Sequence, residues 1–241
     1  MTGPEDRDRS PGLLPTAHTL TAEPAASPTP RAQLARDKLM DAAERLYAEH
    51  GFAGVSIKQI SDAAGQRNKS AVQYHFSNRD ELTRAIIDRH VGPVNEHRLV
   101  LVDELLGRSE VSLRERMTCF VLPSVLHMID LGAPSWHARF MAQAVVEPSL
   151  RDYALQSHLD SASIQRLGVL PGGHGHDQTS DRAPELATMV RQLVVHMCAE
   201  LEHDLAHGRI PGNEAESSWR RLGKHLVTAV CGMSIAFFGL D

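Results

Sequence analysis

The chain has 241 residues, of which 42% are apolar, so it is long enough to bury one large core or two small ones. Its formal net charge of −5 excludes a global attraction to nucleic acid or to an anionic membrane surface. No run approaches the roughly 18 apolar residues that a membrane-spanning helix needs. Cys119, Cys198 and Cys231 lie far apart with no CxxC spacing, which predicts unpaired, buried thiols in a reducing, cytoplasmic compartment.

The first 30 residues differ in composition from the rest of the chain. They are rich in Pro, Ser, Thr and Ala and show no apolar periodicity, so we predict a disordered tail over 1–30 without a signal peptide. A helical pattern begins at Arg31, and we expect Gly51 to end this first helix as a positive-φ residue. Its apolar face carries Leu39, Ala42, Ala43, Leu46 and Tyr47.

A second helix is predicted from Ser56 to Gly65. Gln59 follows Ser56 by three residues, which is the spacing of a capping box. A third and very short helix then begins at Asn68, a good N-cap residue. Val72 and Phe76 lie four residues apart in it and should point into the core. The opposite face carries two polar pairs at the same spacing, Lys69 with Gln73 and Ser70 with Tyr74.

The rest of the chain predicts helices only. Asn78 can cap a fourth helix, which Gly92-Pro93 should kink or interrupt. Beyond it, the apolar patterns, bounded by Gly, Pro or capping residues, predict an all-α protein. We divide it into the tail, a helix-turn-helix domain over 31–90 and a larger helical domain over 91–241. The later helices are expected at about 95–106, 112–131, 135–146, 149–169, 184–207 and 213–239.

The second and third helices together have the form of a helix-turn-helix. The DNA major groove admits one helix, and its base edges present a distinct donor and acceptor pattern. We expect base edges to be read by Lys69, Ser70, Gln73 and Tyr74. Phosphates are expected to be bound by Ser56, Lys58, His75 and Arg79, since a helix N-terminus also favours phosphate. The turn adds Arg67 and Asn68, and Arg67 can reach either a phosphate or a base edge.

The stretches LMDAAERLYAEHGFAGVSIKQISDAAG and KSAVQYHFSNRDELTRAI resemble the N-terminal domain of the TetR family of transcriptional repressors. The resemblance rests on the Ala-rich first helix, Gly51-Phe52, Ala64-Gly65, and His75-Phe76 followed by a polar pair, a charged residue and Leu82. It covers about residues 33–90. It implies an all-helical homodimer that represses transcription from a palindromic operator and is released by a small, largely apolar effector.

This sequence departs from the family pattern at the predicted reading surface. The turn GQRNK is one residue longer than the usual family turn. Tyr is frequent in the family where this chain has Gln73, and here Tyr74 follows one position later. The operator therefore does not carry over from relatives.

The resemblance also implies functions for the C-terminal helices, although ordinary core packing stays open for each residue. Two recognition helices must lie about 34–36 Å apart to read a palindrome, so a dimer is expected, paired through the last two helices. The predicted dimer face is Trp219, Leu222, Leu226, Val230, Met233 and Phe237. The predicted lining of an effector cavity is Met117, Phe120, His127, Trp136, Phe140 and Tyr153.

Other classes of function find less support in the sequence. There is no P-loop, GxSxG, HExxH or dinucleotide fingerprint, so we expect neither an enzyme nor a cofactor. His203 and His207 have a metal-ligand spacing, and His174, His176 and Asp177 cluster, but solvation and the helix dipole explain these positions, and we predict no functional metal. The alternative that stays open is a helical protein-interaction module that does not bind DNA.

Overall fold

The computed structural model of this chain describes residues 29–66, 71–171 and 183–239. Over these residues the chain is helical and contains no β-strand. None of the described helices is long and apolar enough to cross a membrane. The helices are α1 (Pro30–His50), α2 (Ile57–Ala63), α3 (Ala71–His75), α4 (Arg79–Asp103), α5 (Leu113–Leu131), α6 (His137–Ala144), α7 (Arg151–Leu159), α8 (Ala162–Gly168), α9 (Ala183–Ala206) and α10 (Ala215–Phe238).

The predicted ends of the N-terminal helices are confirmed. Gly51 follows α1 with a φ of 71°, a value that favours glycine. Ser56 and Gln59 form the predicted capping box at the start of α2. Asn78 accepts a hydrogen bond of 2.8 Å from the backbone N–H of Glu81 at the start of α4. Local sequence thus fixes the end of α1 and the starts of α2 and α4.

The predicted interruption of the fourth helix at Gly92-Pro93 is wrong, because α4 runs without a break past Pro93 to Asp103. Buried residues anchor α4 on both sides of the proline: Ile86 and Ile87 in the N-terminal core, and Val94 and Val102 beyond it. This packing outweighs the loss of one backbone hydrogen bond at the proline.

The single helix predicted over 149–169 is two helices, α7 and α8. Ser161 lies between them with an extended backbone at φ −70° and ψ 146°, which ends one helical run and starts the next. Serine competes for local hydrogen bonds in this way, and the Ser161 hydroxyl donates to the carbonyl of His158 at 3.0 Å.

Three apolar clusters hold the described helices together. The first joins α1–α4 to α6 and α7, with the ring of Phe140 6.4 Å from that of Tyr47 and 5.8 Å from that of Phe52. The second joins α5, α9 and α10, and the third lies between α4, α5 and α8. All three cysteines are buried and unpaired, as predicted.

A buried carboxylate fixes the start of α6. No side chain of α6 or of the residue before it caps this helix, but Glu202 of α9 accepts hydrogen bonds from the backbone N–H groups of Ala138 at 3.2 Å and Arg139 at 2.9 Å. It also accepts from the Ser135 hydroxyl at 2.8 Å. A carboxylate at a helix N-terminus is favourable, and here it holds His137, the first residue of α6, in place.

Candidate nucleic-acid interface and ligand cavity

Helix α3 presents the two faces that the sequence predicts. Val72 and Phe76 are each only 1% exposed and pack in the N-terminal core. Gln73 is exposed, Tyr74 is 79% exposed, and His75 is half-buried. A polar outer surface on a helix of this size suits the major groove. Arg67, Asn68, Lys69 and Ser70 lie outside the described residues.

At the start of α2, where the sequence predicts phosphate contacts, Ser56 caps the helix. The Ser56 hydroxyl accepts from the backbone N–H of Gln59 at 3.3 Å and lies 2.7 Å from the Gln59 Oε1. The side chain of Lys58 is exposed. Ser56 therefore serves first as the cap of α2, while Lys58 is available as a cation at the surface.

The side chain of Arg79, predicted to contact a phosphate, packs against the protein instead. Its guanidinium donates to the backbone carbonyl of Phe52 and lies 5.1 Å from the ring centre of Tyr47. Arg79 thereby ties the start of α4 to the turn after α1. We replace the prediction of a phosphate contact at Arg79 with this structural role.

A cation that the sequence reasoning missed lies beside α3. The guanidinium of Arg36 is 4.7 Å from the ring centre of Phe76, at the end of α3. Burial, and then the charge of Arg36, lower the pKa of His75. The available signal was spacing, because Arg36 precedes Met40 of the buried α1 face by four residues and therefore shares that face.

The C-terminal part encloses a cavity of about 200 Å³ between α4, α5, α6, α7, α8 and α9. Its walls are mostly apolar, as in small-molecule sites generally. The lining residues are Val94, Arg98, Phe120, Ser124, Met128, His137, Ala138, Met141, Val145, Ala154, Leu155, His158, Leu159, Ile164, Ala187, Arg191, Val194, Val195 and Cys198.

Arg98 is a buried cation on the wall of this cavity. It donates to the carbonyl of Cys119 at 3.2 Å and to the Ser163 hydroxyl at 3.1 Å, and among the described residues it forms no ion pair with a carboxylate. Burial lowers the pKa of Arg98 to about 10. Burial, and then the charge of Arg98, lower the pKa of His158, also on the wall, to about 4.

Of the six residues predicted to line the cavity, only Phe120 does so. Phe140 is fully buried in the N-terminal core, and Met117 packs in the core of α5, α9 and α10. The hydroxyl of Tyr153 donates to Asp88 at 2.6 Å, outside the cavity. Trp136 is half-buried immediately before α6, and His127 belongs to a separate histidine cluster. Helical spacing alone did not distinguish the core face from the cavity face.

Four of the six residues of the predicted dimer face lie inside the protomer, and the pairing of two copies stays a prediction. Trp219, Leu222, Leu226 and Val230 are buried inside the protomer, where α10 packs against α5, and Met233 and Phe237 are partly buried in the same core. An amphipathic stripe marks the face that α10 buries first, and that is its own core.

A histidine cluster lies between the N-terminal core and the cavity. Nδ1 of His90 and Nε2 of His127 are 2.7 Å apart, and the rings of His90 and His137 stack with centres 3.8 Å apart. Glu44 of α1 is buried beside them, with its Oε1 2.9 Å from Nε2 of His90 and 3.5 Å from Nδ1 of His137. Burial lowers the pKa of His127 to about 4 and that of His137 to about 3, so both are neutral at pH 7.

Sequence reasoning missed this cluster because its members come from four helices, with no spacing between them to recognise. A signal was present only at Glu44, a carboxylate within the apolar run AAERLY of α1. Burial raises the pKa of Glu44, but the adjacent His137 and His90 outweigh it and hold that pKa well below its usual range.

Comparison with known proteins gives the N-terminal helices a family. Residues 39–86 match the model of bacterial regulatory proteins of the tetR family. The chain is 29% identical over 51 residues to the HTH-type transcriptional repressor AcnR of Corynebacterium efficiens. These 51 residues are 21% of this chain and 27% of that protein. It is 26% identical over 141 residues to an HTH-type transcriptional regulator in the lacX 3′ region of Lactococcus lactis, 57% of this chain and 70% of that protein.

A solved structure of a TetR family transcription regulator from Marinobacter aquaeolei aligns with a TM-score of 0.49 at 16% identity, over 80% of this chain and 96% of that one. The part of AcnR that matches this chain is about a quarter of the length of AcnR. Both relatives are transcriptional regulators by name.

Proposed function

We propose that this chain is a TetR-family repressor that binds a palindromic operator as a homodimer and releases it when a small effector enters the cavity, because residues 39–86 match the model of bacterial regulatory proteins of the tetR family. The observation that carries the proposal is the two-sided character of α3. Val72 and Phe76 fix the helix from inside, and Gln73 and Tyr74 face solvent.

The proposed interface combines base readers and phosphate contacts. Gln73 and Tyr74 read base edges, together with Lys69 and Ser70 from the segment before α3. Lys58, the N-terminus of α2 capped by Ser56, His75 and Arg36 contact phosphates, which adds affinity without sequence information. The segment 31–90 has 10 basic and 8 acidic residues, so it carries a net positive charge within an acidic chain.

We place the dimer contact on the solvent-facing sides of α9 and α10. Large apolar side chains are exposed there: Met189 is 48% exposed, Met197 41% and Ile235 45%. Exposed apolar residues on adjacent helices support an association surface. The interaction also meets a geometric need, because only two copies can present two α3 helices to successive major grooves.

The cavity supports an effector with an apolar body and one acidic group. Its walls are mainly aliphatic, while Arg98 offers a buried guanidinium that no described carboxylate neutralises. An anionic group on the ligand would pair with it in a dry environment, where charge-assisted hydrogen bonds are strong. Helix α4 provides the coupling, because Val94 and Arg98 line the cavity on the same continuous helix that follows α3.

The direct experiment is an operator search followed by a salt titration. The full chain is incubated with fragments of its own genome, bound fragments are sequenced, and the selected duplex is titrated between 50 and 200 mM salt. We expect a palindromic site and a steep loss of affinity with salt. No selection of any fragment at low salt would instead favour the helical interaction module that does not bind DNA.

A further inference from the structure

The histidine cluster brings four ligand-type side chains from four helices into one buried point. Glu44 comes from α1, His90 from α4, His127 from α5 and His137 from α6, and each is 4–7% exposed. One ring nitrogen from each histidine lies within 4.8 Å of the other two. Neither the proposed operator binding nor the effector cavity accounts for this convergence.

Three of the facing atoms lack a hydrogen-bond partner although they are fully buried. They are Oε1 of Glu44, Nε2 of His90 and Nδ1 of His137. Oε1 lies 2.9 Å and 3.5 Å from the two nitrogens, but the angles are not those of hydrogen bonds. Buried polar atoms without partners are rare in native proteins, and a bound ion is one recognised reason for them.

The separations suit a four-coordinate metal ion. Zn²⁺ bonds to imidazole nitrogen and carboxylate oxygen at about 2.0–2.2 Å, so tetrahedral ligand atoms lie about 3.4 Å from each other. The two separations here bracket that distance. The second oxygen of Glu44 accepts from Arg89, whose other nitrogen donates to Asp41 at 2.6 Å, so Oε1 is the oxygen left for an ion.

We propose that Glu44, His90 and His137 bind one divalent first-row transition metal ion, with Zn²⁺ the best fit, and that His127 positions His90 through its Nδ1. This replaces the sequence-based expectation that the chain binds no functional metal. It rests on the described side chains alone and not on DNA binding.

The surroundings of the cluster agree with this assignment. A ligating histidine commonly hydrogen-bonds through its other ring nitrogen, which is the relation of His90 to His127. His137 also lines the cavity, which gives an ion a route to the cluster from that side.

The ion would connect two parts of the fold. Glu44 belongs to α1 of the N-terminal core, whereas His137 begins α6, which Glu202 anchors to α9. An ion bound by both residues fixes α1 relative to α6. Metal occupancy would then bias the orientation of α3, and this bias would be a second input besides the cavity ligand.

The test is metal binding by the full chain after removal of any affinity tag. Co²⁺ reports four-coordinate nitrogen and oxygen ligation through its visible absorption, and Zn²⁺ is then added as competitor. The matched control is H203A/H207A, which removes the histidine pair at the C-terminal end of α9, whose rings are 4.0 Å apart. We expect one Co²⁺ per chain, displaced by Zn²⁺ and retained in the control, and a loss of affinity of at least about tenfold in Glu44→Gln and in His137→Asn.

The contrary results are equally clear. No stoichiometric binding by the wild-type chain overturns the proposal, as does binding that disappears in H203A/H207A and persists in His137→Asn. If the cluster variants fail to fold, zinc K-edge X-ray absorption on the folded H203A/H207A protein decides. Two imidazoles and one carboxylate around the ion support the site, and a shell of oxygen ligands alone overturns it.

Discussion

The guanidinium of Arg36 lies over the ring of Phe76, 4.7 Å from its centre. One residue belongs to the first turns of α1, and the other is the buried anchor that follows α3. The contact therefore holds a positive charge beside the C-terminal end of the helix that we assign to the major groove. The buried ring of Phe76 helps to fix the position of that charge.

We expect Arg36→Gln to weaken binding to the operator and to unrelated DNA by the same factor. Loss of one phosphate contact should lower the slope of log K against log salt by about 0.9. The measurement is fluorescence anisotropy at several salt concentrations. The control is Arg166→Gln, which removes an exposed arginine paired with Asp103 at 2.9 Å on the far side of α4. An unchanged slope in Arg36→Gln would assign this arginine to folding alone.

Gln73→Ala should weaken the preference of the chain for its operator sequence. Removal of a base-reading amide is expected to cost about 1–3 kcal/mol on the operator and to relax discrimination at one base pair. Competition with a library of single base-pair variants measures both effects, with Lys58→Ala as the comparison that should weaken all duplexes alike. Equal losses on operator and random DNA would remove Gln73 from the readers.

The dimer assignment predicts that Ile235→Asp shifts the chain toward monomer, because a charge on an association surface is desolvated without a partner. Sedimentation equilibrium at micromolar concentration measures the shift. Val100→Asp provides the control, since Val100 is 61% exposed on α4, away from α9 and α10. A dimer that tolerates Ile235→Asp places the contact elsewhere.

Arg98 should discriminate between acidic and neutral ligands. A panel of medium-chain carboxylic acids and the alcohols of equal length is compared by thermal stabilisation. We expect the acids to stabilise the wild-type chain more, and Arg98→Gln to remove that difference, since at equal ligand concentration a tighter ligand stabilises the folded chain more. If the acids and the alcohols are equivalent in the wild-type chain, the guanidinium has no role in ligand choice.

The contact between α5 and α10 makes a prediction about stability. A Cβ at Gly223 would lie 2.9 Å from a Leu122 methyl and 3.3 Å from a Val125 methyl. We expect Gly223→Val to lower the free energy of unfolding by about 1–3 kcal/mol through overpacking. The same change at Gly232, which has open space around it, should be close to neutral in the same denaturant titration.

The helical fold and the two faces of α3 were predictable because both depend on local signals. Ser56, Asn78 and Gly51 end or begin helices through their own chemistry, and the spacing of Val72 and Phe76 gives the buried side of α3 directly. Periodicity also placed most of the later helices within a few residues. These signals need no knowledge of the tertiary contacts.

The cavity, the dimer face and the histidine cluster were not predictable in the same way. An apolar stripe such as Trp219 to Val230 shows that a face is buried, but not whether the partner is α5 or a second copy. His90 and His137 are 47 positions apart in the chain, and only the tertiary fold stacks their rings. Such sites depend on how helices pack, which a one-dimensional pattern does not contain.

The packing of Phe140 against Tyr47 and Phe52 has a practical implication for anyone building hybrid regulators. A fragment cut after residue 90 would leave those two rings without their cover and would divide α4 in the middle of its length. The N-terminal helices of this chain are therefore not a detachable unit. A chimera that is to keep the proposed operator preference should carry α6 and all of α4 along with them.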